Sequence, residues 1–469
     1  MKKVIILIFF TAMVMFTVSI EEYMEMALER SNAYRIAESE YRMKEVSYRI
    51  AKGAFLPEVL FKFRAPDYSW REDLINYFGL PQRISFISET NNTGASLGLS
   101  QWLPFSGRLN ITGSFSKYRS EYNLYDDIDE FDLNTSLSLT VPILEEDLQV
   151  VEARRKKCDL LIAKNKFDKE KKTIEKNAAS FYIMAQLYAV REMIAREELS
   201  NTERLYEMTR DKLKTGISSE LDLLDIEIRL SEKKIGLLEA ENQKGMAFKK
   251  LKDFVNSGAE IAVDEGQAEL FDGKPDFDYE DILSRALRTD ENLDSLELQI
   301  GLIKRELRYD VFRKYFSASV SAGYTLDGKG ETADEALGDF RKNYWFVFLN
   351  LSVPIFTGSI KSSEIKYKEL SLQKIELDKD EYEKNLIEQI RTSYDRYTLL
   401  KKNLDLARMQ ADKAKKLFEL TELRYAKGLE SLDRMKEVEV AYENARYSLG
   451  NTIKELNISY LELIYYSEE

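Results

Sequence analysis

The sequence predicts an α+β membrane protein, mostly α, that is internally duplicated. Three observations carry this. Val141-Pro142-Ile143 and Val353-Pro354-Ile355 each close a run of alternating apolar and polar residues, and each opens a long charged stretch without proline. Gly216 and Gly428 each sit 74 residues beyond their proline, and a long spacing kept in both copies fits helices of set length better than loops. After residue 20, no uninterrupted apolar run reaches the about 20 residues that a spanning helix needs. Entry into a membrane would therefore be by strands.

The elements follow in order. Lys2 and Lys3, the apolar run Val4 to Met15 and the small residues of Thr17-Val18-Ser19 read as a secretory signal peptide over 1–19. An uncleaved anchor is the alternative. The first repeat is expected over 20–257, a linker over 258–277 and the second repeat over 278–469. Each repeat opens with a helix, over 21–53 and 279–313. Ala27-Leu28 aligns with Ala286-Leu287 at an offset of 259, whereas the two glycines align at 212. The difference of 47 residues is an insertion before Pro142, best placed at about 66–112.

Period-two alternation marks the strands. Val59, Phe61, Phe63 and Ala65 share one face of 58–65, and Leu137, Leu139, Val141 and Ile143 share one of 135–143. In the second repeat, Phe316 to Tyr324 and Val347 to Ile355 alternate likewise. Strands of nine to eleven residues suffice to cross an outer membrane when tilted. Trp70, Trp102, Tyr324, Tyr344 and Trp345 cluster in these regions, as an interfacial aromatic girdle would. A water-soluble sheet with one buried face shows the same alternation. The insertion carries a hairpin signal around Ser106-Gly107, which either decorates the outer end of the sheet or prolongs its strands.

Residues 143–274 and 355–469 lack proline, which costs about 3 kcal/mol inside a helix. About 70 helical residues at 1.5 Å each would reach roughly 100 Å. Past the glycines, helices return over 218–256 and 430–466. In the first, Leu223, Ile226, Leu230 and Leu237 form one apolar stripe, and Leu224, Ile228, Ile235 and Leu238 form another beside it. Two stripes suit a helix with neighbours on both flanks; a soluble coiled-coil rod is the alternative.

Composition excludes several functions. The formal charge of −13 opposes a nucleic-acid partner. There is no histidine and one cysteine, Cys158, so the commonest general base and zinc ligand are missing. No catalytic, nucleotide or metal motif appears, and neither a cofactor nor a metal is expected.

Ala27-Leu28, Leu56-Pro57, Val353-Pro354-Ile355-Phe356-Thr357-Gly358 and the two glycine-centred hairpins, in duplicated order, resemble the TolC-like outer-membrane efflux protein family. The resemblance covers essentially the whole mature sequence. It implies a homotrimer: an outer-membrane β-barrel with four strands per subunit, held in lipid, continuous with a long periplasmic α-helical barrel. It implies no enzymatic activity, and partnership with a periplasmic adaptor and an inner-membrane pump or ABC exporter. Thr215, Gly216, Ile217 and Ser218, with Lys427, Gly428 and Leu429, look like adaptor-docking tips. Asp222 and Asp225 resemble the family's acidic segment at the pore entrance. Their counterparts are Arg434 and Glu437, beside Asp433, and Arg434 either breaks a second acidic ring or pairs with an acid of the first hairpin. The expected function is the passive exit duct of a tripartite efflux or type I secretion system. A non-conducting coiled-coil spacer anchored in the outer membrane is the alternative, and it predicts a filled interior.

Overall fold

The computed structural model describes residues 17–76, 83–143, 146–256, 261–263, 277–338, 340, 342–356 and 358–467. Most of the expected signal peptide and of the linker over 258–277, and Thr357, lie outside the described residues. The chain forms two compact units. One comprises residues 1–40, 164–294 and 379–469; the other comprises 41–163 and 295–378.

The elements are β1 (Thr17–Val18), α1 (Ile20–Arg30), α2 (Asn32–Gly53), β2 (Glu58–Asn76), β3 (Arg83–Trp102), β4 (Arg108–Tyr122), β5 (Ile128–Ile143), α3 (Leu148–Lys214), α4 (Glu220–Phe254), β6 (Ala262–Val263), α5 (Tyr279–Thr289), α6 (Glu291–Arg313), β7 (Ser317–Gly330), α7 (Ala333–Gly338), β8 (Lys342–Ser352), α8 (Ile360–Ala426) and α9 (Leu432–Ser467). The bounds of α8 are those of α3 displaced by 212 residues, and each helix has 67 residues. The opening helices, expected to be continuous, are each broken in two. Ser31 accepts from the Tyr34 N–H, and Asp290 accepts from the Asn292 and Leu293 N–H groups. Each thus caps a new helix inside what reads as one amphipathic run.

Among the described residues, the regular structure of the first unit is helical apart from the parallel pair β1–β6. Its core has two matching parts. In one, Tyr23 and Ala27 pack on Ile174, Ala178, Tyr182 and Leu251. In the other, Ile282 and Ala286 pack on Leu386, Ile390 and Leu463. Ile174, Ala178 and Leu251 correspond to Leu386, Ile390 and Leu463 at the same offset of 212. The expected cleavage site takes part in this fold: the Tyr182 hydroxyl donates to the Val18 carbonyl at 2.8 Å, and Ser19 forms a capping box with Glu22.

The second unit is built on a six-stranded antiparallel sheet in the order β2-β3-β4-β5-β7-β8. This corrects the expectation of four strands per chain. The insertion both prolongs β2 and adds a full hairpin, β3–β4, hydrogen-bonded between β2 and β5. A hairpin adds one strand out and one strand back, so β5 still ends at the side where β2 begins. The other strands also run past their expected bounds, except that β8 stops at Ser352. Pro354 has no N–H to continue the ladder, so Val353 and Ile355 lie beyond the sheet. Pro142 stays within β5 because it lies past Thr140, the last residue that β4 pairs. Pro66 coincides with a bulge between Arg64 and Asp67.

Register fixes the two faces of the sheet. One row crosses all six strands as Val59, Leu99, Ile111, Leu137, Tyr324 and Trp345. The same face carries Phe61, Phe63, Leu97, Leu109, Phe115, Leu139, Val347, Leu349 and Leu351. The opposite face carries the row Lys62, Ser96, Ser114, Asn134, Asp327 and Lys342. Hydroxyl pairs link that face, Thr112 to Ser136 at 2.6 Å and Thr140 to Ser321 at 3.1 Å. Phe346, over Gly323, and Phe348 are aromatic exceptions. No helix among the described residues is long and apolar enough to cross a membrane.

Candidate functional site

The hairpin ends that turn at Gly216 and Gly428 lie in the helical unit, and their backbones match atom for atom. The Gly216 N–H donates to the Leu213 carbonyl and the Ile217 N–H to that of Lys212. The Gly428 N–H donates to the Tyr425 carbonyl and the Leu429 N–H to that of Arg424. Each is a Schellman closure, with glycine in the left-handed region at φ 75° and 72°. Such a closure commonly tucks its following apolar residue against the helix. Here Ile217 and Leu429 stay 68% and 65% exposed. Thr215 folds back on its own helix, its hydroxyl donating to the Asp211 and Lys212 carbonyls. Lys427 and Ser218 complete the two turns.

The acidic residues divide by role. Asp222 accepts from the Ser219 N–H and the Ser218 hydroxyl, both at 2.9 Å, and so caps α4. These bonds hold its carboxyl below the usual carboxylate range. Asp225 pairs instead with Lys436 of α9, which also meets Asp433 at 3.0 Å. Asp225, then Asp433, hold the Lys436 ammonium above its ordinary pKa against burial. Arg434 pairs with Glu437 of its own helix at 2.6 Å. The cation that reaches an acid of the first hairpin is therefore Lys436, not Arg434. Residues 434 and 436 point to different sides of α9, and the rotation of the helix chooses between them.

A second contact couples the hairpins. The Lys212 ammonium lies 3.3 Å from the centre of the Tyr425 ring and donates to the Tyr425 carbonyl, while the Tyr425 hydroxyl bonds Thr209 at 2.8 Å. Burial lowers the Lys212 pKa and raises that of Tyr425. Beneath lies an apolar cluster of Leu205, Ile226, Phe418, Leu432, Met435 and Val438, which draws on α3, α4, α8 and α9.

Sequence reasoning missed a layer of buried charge next to that cluster. Arg229 meets Glu439 at 2.8 Å, and Lys233 meets Glu198 at 3.0 Å and Glu443 at 2.6 Å. Glu439 is 2% exposed. Burial pushes its carboxyl up to about 7, with Glu443 and Glu198 pushing the same way and Arg229 and Lys233 opposing. Burial works against the Lys233 charge, but Glu443 and Glu198 hold its pKa above the ordinary value. The signal was there: Glu439 stands four residues after buried Met435 and three before Tyr442, on the stripe that faces the core.

Of the aromatic residues, Trp102 ends β3, with the Arg108 guanidinium 4.8 Å from its ring centre. Tyr344 and Trp345 begin β8, while Trp70 and Tyr324 stand inside β2 and β7. Tyr344 shares the polar face, and Trp345, 75% exposed, the apolar one. Among the described residues, no group of three or more Asp, Glu, Cys or His side chains could hold a metal ion.

Residues 283–464 match the family model described as outer membrane efflux protein. No curated protein matches the sequence. Solved structures share the fold nearly end to end. CusC, whose transmembrane channel formation is described, is 13% identical with a TM-score of 0.66, over 96% of this chain and 91% of CusC. The Campylobacter jejuni CmeC outer membrane channel is 15% identical, with a TM-score of 0.64 over 96% of this chain and 85% of CmeC. The open state of the Neisseria gonorrhoeae MtrE outer membrane channel is 13% identical, with a TM-score of 0.65 over 96% and 88%. At these identities the structural likeness speaks for the fold, and residues 283–464 are similar in sequence to the outer membrane efflux protein family.

Proposed function

We propose that three copies of this chain form the outer-membrane exit duct of a tripartite efflux or type I secretion system. The sheet sits in the outer membrane and the helices extend into the periplasm. The duct is a passive conduit without a catalytic step; an inner-membrane pump or ABC exporter supplies the energy through a periplasmic adaptor. The repeats over 20–257 and 278–469 read as a duplication, supported by the shared offset of 212 in helix bounds, cores and turns.

One observation carries the reading: the sheet is apolar on one face, polar on the other, and open at both ends. Val59, Phe61, Val347 and Leu349 are each more than 60% exposed, although an unpartnered apolar face this broad does not persist in water. Strands β2 and β8 each have one hydrogen-bonded neighbour among the described residues. Sister copies that join β8 to β2 close the sheet and remove its edges.

The helical unit asks for the same kind of neighbour. Leu224, Ile228, Ile235 and Leu238 on α4 are exposed, and so are Leu399, Leu406, Leu420 and Leu423 on α8. Two different apolar flanks make a head-to-tail contact, which closes into a ring. Ile217 and Leu429 serve as apolar anchors for the adaptor. The pair Asp225–Lys436 and the Lys212–Tyr425 contact hold the hairpins together at the pore entrance, with Asp222, Asp433, Arg434 and Glu437 around them.

Purified protein in planar bilayers tests the proposal. Discrete conductance from a species with three times the mass of one chain is expected. A monomer, or a trimer that carries no current under any gating condition, would favour the filled spacer and overturn it.

A further inference from the structure

We propose that the β3–β4 hairpin crosses the full membrane sheet as two additional lipid-facing staves, so that three copies close a barrel of eighteen strands rather than twelve. The inference rests on the channel reading above and goes beyond it. Its subject is what covers the hairpin's apolar face, and the occupant is lipid acyl chain.

The first support is the alternation inside the hairpin. Ala95, Leu97 and Leu99 of β3, with Leu109, Ile111 and Phe115 of β4, fall on the apolar face in register with Val59, Phe61 and Phe63 on one flank and Leu133, Leu137 and Leu139 on the other. Ser96, Gly98 and Ser100, with Asn110, Thr112 and Ser114, fall on the polar face. Leu97 is 55% exposed and Ile111 39%, so no other part of the described residues covers that surface. A hairpin outside the bilayer would have no need of an apolar face continuous with that of its neighbours.

The second support is where the hairpin turns. The Leu103 N–H donates to the Gly107 carbonyl at 2.7 Å, with Ser106 at φ 66°. The Asp147 N–H, just before α3, donates to the Ser106 hydroxyl at 3.1 Å, and the Gln101 side chain donates to the Phe55 carbonyl, just after α2, at 3.2 Å. The turn is therefore fastened at the same end of the sheet as the α2–β2 and β5–α3 junctions. A decoration of the far end would turn elsewhere. From this fastened end β3 and β4 pass through the whole apolar band and beyond it, where Glu89, Arg119 and Glu121 replace apolar residues on the same face.

The consequence is a wider mouth. Barrel diameter grows roughly linearly with strand number, so six strands per copy in place of four give a lumen about 1.5-fold wider. Sheets of this strand number hold an aqueous channel. The inner face brings Lys62, Arg64, Asp132, Asp327, Lys329 and Lys342 to that lumen, with Lys329 bridging Glu130 and Asp132.

Variants that each carry one added cysteine test this, with the wild-type chain, whose one thiol at Cys158 is buried, as the blank. Leu97→Cys and Ile111→Cys on the hairpin, and Phe61→Cys and Val347→Cys outside it, receive an environment-sensitive fluorophore in liposomes with spin-labelled acyl chains. Quenching of the hairpin sites within about twofold of the outer sites is expected, with Ser96→Cys and Thr112→Cys unquenched and open to aqueous thiol reagents. Hairpin sites that escape acyl-chain quenching while residues 61 and 347 are quenched would overturn this inference and leave the channel standing. Escape at all four apolar sites would overturn the channel reading itself. Removal of residues 83–122 should shorten the spin-label distance between copies at Ser136→Cys by about a third. An unchanged distance in a folded variant would also overturn the eighteen-strand barrel.

Discussion

The buried charge layer makes a prediction that runs against the usual expectation for ion pairs. Glu439 faces Arg229 of α4, with Lys233, Glu198 and Glu443 around it. Its carboxyl is nevertheless pushed up to about 7 from an ordinary 4.5, because burial outweighs the attraction of Arg229. A folded value above the unfolded one means that the fold favours the protonated form. The contribution is fully present below about pH 4.5 and is lost as pH rises to about 7, and the shift corresponds to about 3 kcal/mol. Glu439→Gln imitates the protonated carboxyl at every pH. The variant should match the wild type at pH 4 and become more stable than it by pH 8, by up to about 3 kcal/mol per copy. The assay is the helical melting temperature of the detergent-solubilised protein at a fixed scan rate from pH 4 to 8, read as the difference between variant and wild type so that other titrations cancel. Loss of one partner from a buried pair commonly destabilises by about 3–5 kcal/mol. If Glu439→Gln melts lower than the wild type at pH 8, the Arg229 attraction exceeds the burial cost and the assigned pKa direction is wrong.

Other changes separate tip, latch and cap. Gly216→Ala and Gly428→Ala force a Cβ into the left-handed region, at about 1–2 kcal/mol each, so each should lower the melting temperature although no atom lies near the added carbon. Ile217→Asp with Leu429→Asp should leave the melting temperature unchanged, because both residues are exposed; a chemical cross-link to a co-expressed periplasmic adaptor should be lost. Lys436→Ala breaks the contacts with Asp225 and Asp433, which are exposed enough to contribute less than about 1 kcal/mol. It should raise open probability in planar bilayers with little change in melting temperature. Asp222→Asn weakens the α4 cap by about 1 kcal/mol and removes one carboxylate per copy at the proposed pore entrance, so it should lower both the melting temperature and the cation selectivity.

What the sequence reveals follows what physics makes rigid. The offset of 212 was legible because helix length is fixed by rise per residue, and the structure repeats that offset in helix bounds, core residues and turn hydrogen bonds. The insertion was expected at about 66–112, whereas the added hairpin runs from Arg83 to Tyr122, and its two strands were not resolved as staves. Gly94, Gly98 and Gly113 thin the alternation, and Thr135 occupies the apolar face, so the period-two signal fades where the sheet is narrowest in side chains. Ser31 and Asp290 were hidden for the opposite reason: a small polar residue on an amphipathic helix looks like its wet side until its oxygen is seen to accept from the next turn.

The rotational setting of a helix is what a sequence with several usable stripes leaves open. On α4, Leu223, Ile226 and Leu230 turn toward this chain, whereas Leu224, Ile228 and Ile235 turn away. Alternation alone gave both stripes equal standing. The same freedom made Arg434 the plausible latch, when two residues further on Lys436 has the right azimuth. It also left Glu439 unremarked on a helix whose neighbouring positions are core. Where two faces of one helix are both apolar enough to bury, only packing against a second chain relieves the excess. The exposed stripes on α4 and α8 are thus the surfaces that the proposed sister copies would cover.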